Sequence, residues 1–249
     1  MIWDSLPFLG RKEYLMRVVL AWSTLLTAFS MAAIGADGPL GSEWMPLLNG
    51  KDLSGWHTQD GKPLEWFTTR AVTALPGGKT LEAERAPGGI LVNGPKGRTS
   101  NLVTDQKFGD MELHVEFLVP AGSNSGVYLQ GLYEIQIKDS FGVASATVHD
   151  CGAIYDRWIH SKGVGGAPPA RNACGPAGEW QTFDIQFQAP RFAASGNKIA
   201  NAKFLRVAHN GVVIHTNVEA EGPTPRIHGP GRGARQSNHA PGRSRRRGV

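Results

Sequence analysis

The chain has 249 residues, enough for one all-β domain of about 200 residues or for two small ones. Its 32 glycines and 16 prolines, set against 19% charged residues, describe a globular protein with many turns and few helices. The formal charge of +5 resides at the chain's end: residues 225–249 hold seven arginines and no acid, and without those seven the remainder is −2. A near-neutral body excludes the broad cationic groove of a nucleic-acid-binding protein.

The beginning has the pattern of a secretory signal. Arg17 precedes an uncharged apolar run from Val18 to Ile34, and small residues follow at Gly35-Ala36. Residues 1–36 are read as a signal peptide with cleavage near Ala36, Met16 offering an alternative start. An uncleaved anchor helix is the competing reading. The expected location is secreted or periplasmic, with no membrane contact after cleavage.

Residues 44–56 form a turn-rich opening with Trp44 and Trp56. Residues 64–75 and 79–92 each predict a short strand on either side of Pro76-Gly77-Gly78, and Ser100 to Thr104 predicts another. From Met111 to Val119 apolar residues alternate with Glu112, His114 and Glu116, the pattern of a half-buried antiparallel strand with a wet polar side. Val127 and Leu129 alternate with Tyr128 and Gln130, and beyond Gly131 the apolar Ile135 and Ile137 alternate with Glu134, Gln136 and Lys138. One sheet surface thus collects Tyr128, Gln130, Glu134, Gln136 and Lys138. Planar amides, a carboxylate and an aromatic suit a neutral, hydroxyl-rich ligand.

Residues 140–179 read as a long irregular segment rich in Gly, Ala and Pro, a length that in compact domains usually serves function. A further strand follows through Phe183, Ile185 and Phe187, and Asn210-Gly211 between two alternating runs signals a hairpin. Cys151 and Cys174 are either a disulfide, worth about 3 kcal/mol by chain entropy, or two free buried thiols. No Cys/His spacing points to zinc. Beyond Thr224 the chain is too poor in apolar residues to order itself; it is read as a basic tail or as the product of a shifted reading frame. The fold class is all-β, a two-sheet antiparallel sandwich preceded by a signal helix and followed by an irregular tail.

Several stretches together resemble one family: Leu-Leu-Asn-Gly-Lys-Asp-Leu-Ser-Gly-Trp (47–56), Asn-Ser-Gly-Val-Tyr-Leu-Gln-Gly (124–131), Tyr-Glu-Ile-Gln-Ile-Lys-Asp-Ser (133–140), Cys-Gly-Ala-Ile-Tyr (151–155) and Gly-Glu-Trp-Gln-Thr-Phe-Asp-Ile (178–185). The resemblance is to the 3-keto-disaccharide hydrolase domain and covers residues 44–224, within a domain bounded at 37–224. It implies a concanavalin-like jelly roll and cleavage of glycosides already oxidised to a ketone at sugar C3. The family's final strand has no counterpart here, which motivates the shifted-frame reading and raises an inactive truncated product as one alternative. A non-catalytic, laminin-G-like carbohydrate-binding module is the other.

A 3-keto sugar has an acidic hydrogen at C2, so a base, an oxyanion stabiliser and an acid suffice for elimination, and water then adds. The catalytic candidates are Glu134 as base or acid, Lys138 as oxyanion stabiliser and Asp139 at the strand end. Tyr128, Gln130, Gln136, His149, Glu179 and Trp180 are the substrate-binding candidates. A surface Glu134–Lys138 pair, a turn role for Asp139 and a core role for Trp180 are the plainer alternatives. A retaining glycosidase needs two carboxylates about 5 Å apart, and the row Glu134-Gln136-Lys138 carries only one acid. No organic cofactor is expected and no metal site is assigned, a divalent cation being left open. The expected partner is a small carbohydrate, with no nucleic acid; oligomeric state is not read from the sequence.

Overall fold

The computed structural model describes residues 12–16 and 44–224, except 85, 95, 96, 98 and 161. Of the expected signal peptide, residues 1–36, only 12–16 are described, and they form a strand; the apolar run from Val18 to Ile34 and the tail from Pro225 to Val249 lie outside the described residues. No helix occurs among the described residues.

The chain opens with β1 (Lys12–Met16) and β2 (Met45–Pro46). Six short strands follow: β3 (Trp56–Thr58), β4 (Phe67–Thr69), β5 (Val72–Ala74), β6 (Leu81–Ala83), β7 (Ile90–Val92) and β8 (Leu102–Thr104). Each strand expected over 64–75 and 79–92 is therefore two, broken at Arg70 and at 84–89 so that β4 pairs with β7 and β5 with β6. Next come β9 (Met111–Leu118), β10 (Asn124–Leu129) and β11 (Tyr133–Lys138). Inside the segment expected to be irregular, β12 (Arg157–Ile159) and β13 (Lys162–Val164) form a hairpin. The chain closes through β14 (Trp180–Gln188), β15 (Arg191–Phe192), β16 (Lys198–Ala200), β17 (Ala202–His209) and β18 (Val212–Ala220).

The large sheet has the order β18-β17-β14-β9-β1-β2 and is antiparallel except at β1, which runs parallel to both β9 and β2. The second layer is built on the antiparallel pair β10–β11 and continues through bridges from Ile135 to Ile154 and from Ile154 to Ala167. Period-2 alternation puts Met111, Leu113, Val115 and Phe117 of β9 on one face, joined by Phe183, Ile185 and Phe187 of β14. From the opposite layer Leu129, Tyr133, Ile135, Ile137 and Ile154 meet them in a single core. This is an all-β sandwich, the class predicted from the alternation.

Two hairpin turns need left-handed backbone. Asn210 (φ 50°) and Gly211 (φ 78°) link β17 to β18, as the Asn-Gly signal predicts. Gln130 (φ 55°) and Gly131 (φ 64°) link β10 to β11, with the Leu132 amide donating to the Leu129 carbonyl at 3.0 Å. The positive φ takes Gln130 out of the strand, so its side chain leaves the row begun by Tyr128.

Phe183 is fully buried, with its ring centroid 4.7 Å from those of both Phe117 and His209. Truncating such a residue removes transfer energy and leaves a void. Phe183→Ala is expected to lower stability by about 3–5 kcal/mol in urea unfolding.

Candidate functional site

The site is a row of side chains across two paired strands and the bridged segment beside them. Tyr128 of β10 stands directly opposite Glu134 of β11, and its hydroxyl donates to Glu134 Oε2 at 2.6 Å. On the other side of β11 the Tyr155 amide donates to the Glu134 carbonyl at 3.0 Å, continuing the ladder. Ile135 and Ile154 face each other in the core, so alternation turns Glu134 and Tyr155 to the opposite, polar face. The His149 ring stands 5.1 Å from that of Tyr155. Asp156 follows at once, only 4% exposed.

Both carboxylates are seated over glycines. A Cβ at Gly126 would overlap Glu134 Oε1, and one at Gly163 of β13 would overlap Asp156 Oδ2. Any side chain at either position would displace the acid it faces. Asp156 Oδ1 and Gln136 Oε1 are buried acceptors with no hydrogen-bond partner among the described residues.

The plainer reading of Glu134 and Lys138 as a surface pair does not hold: every residue of β11 but Lys138 is buried, and Glu134 is 6% exposed. The segment from Thr147 to Tyr155 folds over the polar row, tied down by Gln136 Nε2 to the His149 carbonyl at 3.3 Å and by Lys138 Nζ to Asp150 Oδ1 at 3.1 Å. Burial pushes the Glu134 carboxyl up to about 7; the Tyr128 hydrogen bond opposes this, and the charge of Asp156 adds to it. Tyr155 is likewise raised, first by burial and then by Asp156 and Glu134. Burial also works against the Asp150 carboxylate, yet hydrogen bonds from Thr147 and Lys138 hold it at about 2.

Of the residues singled out from the sequence, the structure gathers Tyr128, Glu134 and Gln136 on one face, with His149 reaching it through Tyr155. Lys138 shares the face, but four residues along a strand is about 13 Å, and its cation is paired with Asp150. Asp139 takes the turn role: its Oδ2 accepts from the Gly122 amide at 2.8 Å. Gln130 is buried away from the row, donating to the Phe108 carbonyl at 3.2 Å. Glu179 and Trp180 sit exposed at the start of β14, in the other sheet, so Trp180 is not the core residue its type suggests.

Tyr155 and Asp156 were missed as site residues. Tyr155 ends the Cys-Gly-Ala-Ile-Tyr motif (151–155), which marks the family but no role for the tyrosine, and Asp156 follows it inside a segment without periodicity. Cys151 and Cys174 are both buried and both free, the second of the two readings.

A hollow of about 210 Å³ lies beside the row, lined by Tyr155, Arg157, Gly165, Gly166, Glu221 and Thr224 among others. A larger one, about 330 Å³, is lined by Asp110, Glu112, Gln186 and Arg191 and by none of the row. Among the described residues no group of three or more His, Cys, Asp and Glu side chains is placed to hold a metal ion.

An all-β sandwich with a buried acid flanked by tyrosines fits a carbohydrate hydrolase-like domain, the class to which the matching family and the similar crystal structure point. The chain belongs to the 3-keto-alpha-glucoside-1,2-lyase-like domain family, whose profile matches residues 43–239, further along the chain than the motifs themselves reach. A crystal structure of a Parabacteroides distasonis protein, described provisionally as a glycosyl hydrolase, is 29% identical, with a TM-score of 0.51. That match covers 74% of this chain and 69% of the other. A second protein of that organism, with the same description, is 21% identical over 69% of this chain and 70% of its own, at a TM-score of 0.42. No curated protein matches the chain.

The raised carboxyl makes stability depend on pH. A carboxyl whose folded-state pKa lies above its unfolded value favours folding most below about 4.5, and that advantage is lost as pH rises through about 7. The loss is on the order of 3 kcal/mol. Urea unfolding at pH 5 and pH 8 is expected to show this decline, and Glu134→Gln to remove it.

Proposed function

We propose that the row catalyses cleavage of 3-keto-glycosides by elimination, with Glu134 as the base. The observation that carries this reading is the Glu134 carboxyl, buried, near 7 and held on a face with two tyrosines. A general base works best when its pKa lies near the working pH. The C3 ketone lowers the barrier at C2, so a carboxylate of this strength suffices. Glu134 takes the C2 proton, and the C2–H electron pair moves into the enolate. The enolate re-forms the ketone while a C1–C2 double bond develops and the C1–O bond breaks towards the leaving group. Water added across that double bond completes a net hydrolysis.

Tyr128 already donates to Glu134 and is placed to pass that hydrogen bond to the enolate oxygen. The two buried acceptors, Gln136 Oε1 and Asp156 Oδ1, match the hydroxyl donors of a sugar. His149 and Tyr155 are the proton donors available to the leaving oxygen. Lys138 and Asp150 serve as a clasp on the covering segment rather than as catalysts. The domain is read as secreted or periplasmic, acting on a small carbohydrate without an organic cofactor.

Asp156 supports a second reading. Glu134 and Asp156 together supply the two acids that a direct glycosidase requires and that β11 alone lacks. The two mechanisms differ in substrate. Incubation with methyl 3-keto-α-glucopyranoside and with its unoxidised parent should release methanol from the ketone alone; release from the parent alone rejects elimination. Under the elimination reading kcat/KM rises with pH to a plateau above about 7, following Glu134. Glu134→Gln is expected to lower kcat by about 10²–10⁴-fold and leave sugar binding in place.

A further inference from the structure

The β12–β13 hairpin presents an unusual surface for its position. Trp158 is 49% exposed; Ile159 and Val164, exposed as well, lie with Arg157 on the hairpin's other side. An indole left half in water within a carbohydrate-acting domain calls for an occupant.

Strand geometry fixes where Trp158 points. It is paired directly with Gly163 in the antiparallel register, and side chains of directly opposed residues rise on the same side of a hairpin. The side on which a Gly163 Cβ would rise is occupied by the Asp156 carboxylate, since that Cβ would overlap Asp156 Oδ2. Trp158 therefore stands on the Asp156 side, with its Cβ about 5 Å from that carboxylate's seat. Asp156 in turn acts on Glu134 through its charge. With no side chain at Gly163, the group that faces the indole from across the hairpin is the Asp156 carboxylate.

We propose that Trp158 is the stacking platform of a second saccharide subsite, which takes the sugar ring on the leaving-group side of the bond cleaved at Glu134. The ligand class is a disaccharide whose second ring is a pyranose offering an apolar C–H face to the indole. Asp156 Oδ1, a buried acceptor with no hydrogen-bond partner among the described residues, is the polar group next to that ring's hydroxyls. Arg157, alternating to the opposite side of the hairpin, is ion-paired with Glu221 and anchors the hairpin to the segment after β18. The subsite rests on the reading of the Glu134 row as the reacting centre.

Calorimetric titration of the Glu134→Gln protein tests it without turnover. The probes are 3-keto-trehalose and methyl 3-keto-α-glucopyranoside, which share the oxidised ring and differ in the second one. The disaccharide is expected to bind about tenfold more tightly, the effect of one good aromatic contact. Adding Trp158→Ala should abolish that preference and leave the affinity for the methyl glycoside unchanged, whereas Trp158→Phe should keep most of it. Equal affinities for the two probes, a preference that survives Trp158→Ala, or no binding of either probe overturns the subsite. Lack of turnover by the unaltered protein, with the Trp158-dependent preference intact, would remove the elimination mechanism and leave the subsite standing.

Discussion

The constraint on which the rest depends is the burial of one carboxyl group. Glu134 lies on the polar face of β11 yet is only 6% exposed, and moving a carboxylate out of water is costly unless it is partnered or protonated. The protein does some of each. Tyr128 supplies a hydrogen bond from the strand on one side, and the raised pKa keeps a proton on the acid until near neutrality. Gly126 provides the room, since any Cβ there would strike Glu134 Oε1. A group held between two protonation states at the pH of use is what proton abstraction beside a ketone requires.

The sandwich holds that acid in place by what lies on the other face of the same strand. Ile135 and Ile137 are locked into the core against β9 and β14, so β11 cannot slide by one residue without exchanging its polar and apolar faces. The covering segment is less regular and is held by side chains as well as by its backbone bonds to β11. Gln136 grips the His149 carbonyl, Lys138 grips Asp150, and Asp150 also accepts from the Thr147 amide at 2.8 Å and from Ser140 Oγ at 3.1 Å. These contacts turn Lys138, which looks catalytic in the sequence, into a fastener. They place Tyr155 and Asp156 where the row needs them.

Fold and site differ in how far the sequence reveals them. The alternation of Met111 to Phe117 and of Phe183 to Phe187 is complete because one face of each strand is core and the other is not, and both strands are present. Asn210-Gly211 predicts its hairpin because only such residues accept two consecutive positive φ angles readily. Glu134, Gln136 and Tyr128 were legible for the same reason, as one face of a paired strand. What failed was local context. Nothing in the alternation pattern shows that Gln130 has left the strand, that Lys138 meets an acid twelve residues on, or that the polar face is covered. Asp156 and Trp158 were hidden because β12 and β13 have three residues each, too short for a period to register among so many glycines.

The account stands on the proton held by Glu134, and that proton can be followed directly. A pH titration of the side-chain carboxyl carbons by ¹³C NMR, with the Glu134→Gln protein identifying the resonance by its loss, gives the midpoint of this one group. The account predicts a midpoint near 7. A midpoint at the ordinary glutamate value of about 4.3 would mean a solvated surface acid and would contradict it.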